Sequence, residues 1–388
     1  MASGRVLIAG GGIGGLTAAL SLAKAGFEVA LFEQAAEFGE IGAGIQLSPN
    51  CTRVLHHLGL ESALAARAFL PEGGEFRAWK SGKVIASSAL GQAVRDRYGF
   101  PYYNIHRGDL LRVLVEAAEG SPAIELNTAS EVTGFEQDGR VRVAVGGTGG
   151  IGSDVGGTQS SVVHEGDALI GADGIHSAVR AQLFGDDVPR FTGNVAWRAL
   201  VPAEQLPAGL VRPMATAWWG PHKHFVHYYL RSGTLVNCVC IVEKTGWEVE
   251  SWTERGEFDE LKSDFAGWHE DIQALIDNMD RSSLYKWALH DRPPLPLWGK
   301  GAVTLLGDAC HPTLPFMAQG AAMAIEDAAV LAGYLAANDD VATGLKRYED
   351  LRRQRTAGVQ NGSRRNAKLF HLTGVKAWLR NQAAKRAG

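Results

Sequence analysis

Some residues in this chain could do chemistry by type and spacing alone. The run from His222 to Tyr229 reads HKHFVHYY. In an extended strand, residues two apart share a face. His222, His224, Val226 and Tyr228 then point one way, and Phe225, His227 and Tyr229 the other. Histidine can take a proton near neutral pH, directly or through a water. His224 is therefore a candidate proton acceptor, and Tyr228, on the same face, could reach and orient the same bound molecule. The plainer alternatives are a surface histidine and a strand-packing tyrosine. A zinc site is not expected, because His227 faces away and no carboxylate is close in sequence.

A second constellation is Gly10, Gly12 and Gly15, spaced GxGxxG, with Ile13 and Gly14 inside it. It follows the apolar run Arg5 to Ala9 and precedes Leu16 to Ala25, which reads as a helix ended by Gly26. Gly10 permits a tight turn, Gly12 lets backbone approach a pyrophosphate, and Gly15 allows close packing of helix on strand. The helix N-terminus offers free N–H groups and a positive dipole end to phosphates. Phe27 to Glu33 reads as the second strand, and Glu33 falls 18 residues after Gly15, placed to accept from ribose hydroxyls. Strand, loop, helix and acid together predict a dinucleotide site.

The elements that must position these residues follow from pattern. Asn50–Leu58 and Asp109–Glu119 read as helices. Ile124–Asn127, Glu131–Glu136 and Arg140–Val145 read as a strand meander. Gly146–Gly157 holds seven glycines and reads as a loop tip, with no helix after it to receive a phosphate. Ala168–Gly171 and Val303–Leu306 read as short strands, and Phe191–Val242 as a largely β block. Glu257–Asp277, Gly320–Leu335 and most of the remainder read as helices. Nucleotide-type signals recur near residues 10, 173 and 308 with the β block between the last two, which predicts interleaved domains.

Composition narrows the classes. The 388 residues are 46% hydrophobic and 21% charged, an ordinary globular balance able to bury a large core. The net charge of −4 gives no reason to expect nucleic acid or an anionic membrane as partner. Ten basic residues from Arg352 to Arg386, Arg380 among them, come at intervals and read as a solvated face. Four cysteines without a CxxC pair argue against a disulfide framework. Cys238 and Cys240 read as buried on one strand face. No run reaches the ~18 apolar residues of a membrane helix, and there is no secretory pattern. The cytoplasm is the expected compartment.

Three motifs in order, GGGIGG from Gly10, GADGIHSAVR from Gly171 and GDACHPTLPFMAQG from Gly307, carry a resemblance over nearly the whole chain. The sequence resembles the single-component flavoprotein aromatic hydroxylases, a group that includes salicylate hydroxylase, 3-hydroxybenzoate 6-hydroxylase and 6-hydroxynicotinate 3-monooxygenase. The resemblance implies an α/β fold, with a Rossmann-type FAD-binding domain (1–75, 100–185 and 286–340) interleaved with a β-sheet substrate domain (76–99 and 186–285) and helices at 341–388. It implies FAD contacts from Asp173, Arg107, Gly44, Gly307, Asp308, Gln319 and Gly320, with Asp308 on a ribityl hydroxyl. Pro315 resembles a proline beside the flavin ring. The 3-hydroxybenzoate 6-hydroxylases tend to carry glutamine there, which shifts the expectation away from that substrate. Gln46 is polar lining of the pocket or a turn residue. Arg180 belongs to the middle motif, or is a helix-surface arginine. His311 reads as structural, and Trp197 and Arg198 as strand packing, with lining of the pocket or contact with the nicotinamide donor as the alternative.

The resemblance also implies the cycle. NADH or NADPH reduces FAD, dioxygen gives a flavin-4a-hydroperoxide, and a small phenolic acid or hydroxypyridine acid is hydroxylated. The electron donor has no second GxGxxG unit to bind. The resemblance leaves monomer or homodimer open. A halogenase of related fold would carry a WxWxIP motif, which is absent. A non-catalytic flavin-binding protein is the remaining alternative.

Overall fold

In a computed structural model, which describes residues 4–39, 44–147, 162–244, 246 and 254–387, the apolar run Arg5–Ala9 sits inside a six-stranded sheet. Its order is Gly299–Lys300, Val303–Leu305, Ala168–Gly171, Arg5–Ala9, Glu28–Phe32 and Ile124–Asn127. Only the Gly299–Lys300 edge runs antiparallel. Leu7, Ile8, Leu31, Leu169 and Ile170 are fully buried. Continuous rather than alternating apolar residues are what a parallel strand covered on both faces needs. Helices Ile13–Lys24, Arg107–Glu119 and Gly320–Ala336 supply apolar cover to the same core.

A seven-stranded sheet forms the second body. Its order is Tyr285–Asp291, Arg190–Pro202, Leu235–Glu243, Lys223–Leu230, Met214–Gly220, Gly73–Ala78 and Val84–Ala89. One face carries Trp197, Trp218, Phe225, Cys238 and Cys240 into a core closed by Leu261, Phe265, Ile272 and Leu275. The opposite face packs Val239 and Ile241 near Leu314 and Phe316. The expected boundaries at 75/76 and 285/286 cut through strands Gly73–Ala78 and Tyr285–Asp291, which lie wholly in this sheet.

Several expectations are corrected. Ile124–Asn127 joins the parallel sheet rather than the meander; the meander is Ser130–Asp138, Arg140–Gly147 and Val162–Gly166. Glu257–Asp277 is two helices, Phe258–Asp264 and Glu270–Asp277, broken where Gly267 takes φ +75°. The glycine-rich loop lies outside the described residues from 148 to 157. The basic C-terminal stretch forms helices Val341–Phe370 and Gly374–Ala387, but its charges are not all solvated. Arg352 is buried against Asp327 and Glu326, and Arg380 lies over the Trp219 ring. Acids distant in sequence, and an aromatic face, draw these side chains inward. No described helix is long and apolar enough to cross a membrane.

Candidate active site

The glycine loop is set by contacts that exclude side chains. Gly10 has φ +101°, and a Cβ there would lie 2.4 Å from the Ala172 carbonyl oxygen. A Cβ on Gly15 would lie 2.0 Å from the Gly10 carbonyl oxygen. A Cβ on Gly12 would meet nothing within 4 Å, and Gly12, with Ile13 and Gly14, lines a cavity of about 550 Å3. Gly12 caps the helix Ile13–Lys24 without any side-chain cap bond, so its backbone end is open to a ligand. Glu33 stands behind the loop rather than in this cavity. Its Oε2 accepts from the Gly11 N–H at 2.7 Å and its Oε1 from the Ala35 N–H at 2.9 Å. Asp173 is also set back from the lining, between Ala172 and Gly174, which do line the cavity. Its Oδ2 accepts from the Val179 N–H, its buried Oδ1 has no partner, and burial raises its carboxyl pKa.

Farther along the same cavity stand Gly44, Gln46, Arg107, Gly307, Asp308, Pro315 and Gly320. Asp308 opens to the cavity yet lies deep in the molecule. Burial raises its pKa, and His311 and Arg107 pull it back down. Burial likewise lowers the pKa of Arg107, which Asp308 offsets. Gly44 donates its N–H to Asn237 Oδ1 at 2.7 Å, and Gln46 faces Asn104. Gln319 does not line the cavity. It donates to Ser48 Oγ and accepts from Asn50, tying the start of helix Gly320–Ala336 to that segment.

The third wall comes from the seven-stranded sheet. Strand Lys223–Leu230 presents His224, Val226 and Tyr228 to the cavity, while Phe225 and His227 face the other side. His222, expected on the His224 face, instead sits in the preceding turn with φ +59° and is exposed. His224 is 2% exposed. Burial, and then the neighbouring His371, hold its pKa well below the usual histidine value. Burial raises the Tyr228 hydroxyl pKa, partly offset by Arg198. Both groups are therefore neutral near pH 7, the imidazole able to accept and the phenol to donate.

The two readings of Trp197 and Arg198 divide between them. Arg198 lines the cavity, its guanidinium 4.6 Å from the Trp287 ring centroid and its Nε without a partner. Burial lowers its pKa to about 10. Trp197, one residue earlier and on the other strand face, packs into the opposite core. Tyr102, Glu75, Phe316 and Phe370 complete the wall, and no local signal marked them. Arg180 is buried, bonded to Asp187 and the Ala309 carbonyl, so it is not a surface arginine.

His311 is sealed in the core with Nε2 2.5 Å from Asp327 Oδ2. Cys310, His311 and Asp327 have ligand-type atoms within 4.8 Å of one another. Both Asp327 oxygens are already engaged, one by His311 and one by Arg352, so the cluster is an ion-pair network.

Residues 4–363 match the family described as FAD binding domain. A 3-amino-4-hydroxybenzoate 2-monooxygenase of Streptomyces platensis is 39% identical over 386 residues, covering 99% of this chain and 93% of that protein. A 3-hydroxybenzoate 6-hydroxylase of Polaromonas naphthalenivorans is 39% identical, covering 98% and 91%. Among solved structures, Klebsiella pneumoniae HpxO complexed with FAD and uric acid superposes with a TM-score of 0.85 at 26% identity, covering 98% and 92%. With a matching family over most of its length and relatives aligned end to end, this chain belongs to the single-component, FAD-dependent aromatic-ring hydroxylases.

Proposed function

We propose that the protein uses NADH or NADPH and dioxygen to hydroxylate a small phenolic aromatic acid, with His224 as the base. One observation carries the reading: a buried, neutral histidine and a protonated tyrosine share a single cavity with the open glycine loop and the Arg107–Asp308 pair. Gly12, Ile13 and Gly14 would hold the FAD pyrophosphate, Glu33 the ribose, Asp308 and Arg107 the ribityl chain, and Gly44, Pro315 and Gly320 the ring. The cradle fits on its own evidence, since a Cβ on Gly12 would meet only open space and the helix start it caps borders the cavity with no side-chain cap. Bound FAD supplies the electron transfer and the oxygen chemistry.

The chain's own side chains do the rest. His224 takes the ring hydroxyl proton, which makes the ring electron-rich. Tyr228 donates to the ring oxygen and orients it. Arg198 faces the same space with an unpaired N–H, so a carboxylate on the ring would give it a partner. Phe316 and Phe370 keep water from the ring. The relatives' substrates, 3-amino-4-hydroxybenzoate and 3-hydroxybenzoate, are both phenolic acids of this kind. Pro315, in place of glutamine, favours a substrate other than 3-hydroxybenzoate.

The test is direct. The purified protein is examined for a flavin spectrum, then NADH and NADPH oxidation is followed with 3-amino-4-hydroxybenzoate, 3-hydroxybenzoate, 6-hydroxynicotinate and salicylate. A jump in oxidation with one acid, and a hydroxylated product, supports the reading. A yellow protein that no phenolic acid stimulates refutes the substrate class.

A further inference from the structure

We propose that His371 and Glu243 form a proton relay that carries the substrate proton from His224 to solvent. The relay rests on the reading of His224 as the base. It joins two neighbouring strands, Lys223–Leu230 and Leu235–Glu243, to a helix end far from them in sequence. His224 Nδ1 lies 2.8 Å from His371 Nε2, and His371 Nδ1 lies 2.9 Å from Glu243 Oε1. Glu243 Oε2 then meets His222 Nδ1 at 2.8 Å. Burial falls along this line: the His224 and His371 side chains are sealed, whereas those of Glu243 and His222 are 41% and 64% exposed. One end borders the cavity and the other reaches water.

The backbone holds the line in place. His222, in its left-handed turn, donates its N–H to the His371 carbonyl oxygen, and Glu243 donates its own to the His222 carbonyl. His371 is the residue that ends helix Val341–Phe370. Phe316 and Phe370 flank the His224 ring at 5.2 and 5.3 Å. With a ring in the cavity, His371 is the polar group left to His224 among the described residues.

The tautomers follow from the acceptors. An ionised carboxylate only accepts, so His371 carries its proton on Nδ1 and accepts at Nε2. His224 then carries its proton on Nδ1, leaving the Nε2 lone pair for substrate. Although burial raises the Glu243 pKa, bonds from His222 and His371 bring it below the usual range. The transfer balances. The ring hydroxyl gives its proton to His224 Nε2, His224 gives its Nδ1 proton to His371 Nε2, and His371 gives its Nδ1 proton to Glu243, which sheds it to water. Return of one proton to the product resets every tautomer. Burial, with His222 and Arg380 beside it, opposes a lasting charge on His371 and outweighs the pull of Glu243. The relay passes protons without storing one.

The test needs no turnover. Oxidised holoenzyme is mixed rapidly with 3-amino-4-hydroxybenzoate and, separately, 3-hydroxybenzoate, and the ultraviolet phenolate band of the bound ring is followed. In Glu243→Gln and His371→Gln, phenolate formation should slow by roughly tenfold or more, with the probe's Kd within about twofold of wild type. Glu243→Asp should recover most of the rate. Unchanged rates in both glutamine variants, with His224→Gln still blocking the band, overturn the relay and leave the base assignment standing. Wild-type enzyme that forms no phenolate with either probe sinks both.

Discussion

Arg352 donates from Nε to Asp327 Oδ1 at 2.6 Å, and Asp327 is completely buried. The same carboxylate takes His311 on its other oxygen. Burial raises the Asp327 pKa, but the two cations pull it down past the usual value. His311 is correspondingly held well above its own, as its anionic neighbours outweigh burial. Removing one member leaves an uncompensated buried charge. Asp327→Ala should cost about 3–5 kcal/mol, seen as a lower urea midpoint. A change within about 0.5 kcal/mol would mean that the network is not coupled to folding.

His224→Ala should lower coupled hydroxylation by roughly 10²–10⁴-fold while leaving FAD affinity unchanged. Product formation per NADH consumed, alongside a flavin titration of the apoprotein, separates the two effects. Equal losses in both would move His224 from chemistry to scaffold.

Gly15→Val places side-chain atoms against the Gly10 carbonyl, where even a Cβ would sit at 2.0 Å. The loop cannot keep its path. The variant should purify without bound flavin and lose a few kcal/mol, at the upper end of ordinary substitutions. Absorbance at the flavin band per mole of protein reads this at once.

His227 is buried on the far side of its strand and takes an N–H from Trp218 at 3.0 Å. Burial, helped by Arg77, lowers its pKa to about 3. Below pH 6.5 the unfolded chain gains a proton that the folded chain refuses, so stability falls with pH. By pH 5 this one group should cost about 2 kcal/mol. His227→Gln keeps an acceptor for Trp218 without titrating, so its acid loss should be smaller by that amount in denaturation curves at pH 7 and 5.

Arg198→Met keeps bulk over Trp287 but removes the cation. KM for a carboxylated ring should rise by about tenfold or more, consistent with the loss of a charge-assisted bond. The uncarboxylated phenol should be affected little. Equal effects on both would assign Arg198 to another partner.

Local rules reached some parts of this molecule and not others. Gly10 and Gly15 were legible because strand, turn and helix lie within one short unit whose geometry excludes side chains. Strand alternation placed His224 and Tyr228 on one face. It did not reach His222, where a turn begins before the strand does. Ile124–Asn127 was recognised as a strand, but not its parallel pairing with Glu28–Phe32, because several helices and strands lie between the two in sequence. Arg352 read as solvated because Asp327 and Glu326 come to it only through helix packing. His371 carried no signal at all. A helix end folding back on a sheet is decided by contacts almost 150 residues apart in the chain, as His224 and His371 are.

The cavity's walls come from Gly12, Arg107, His224, Asp308 and Phe370. During synthesis, therefore, the glycine loop emerges long before the surfaces that would enclose a flavin beside a substrate. A ribosome-bound chain that stops short of Phe370 lacks one wall of the pocket, so a flavin reduced on it would face water rather than an aromatic ring. Completing the site only when the far wall arrives would delay oxygen activation until the substrate has somewhere to sit.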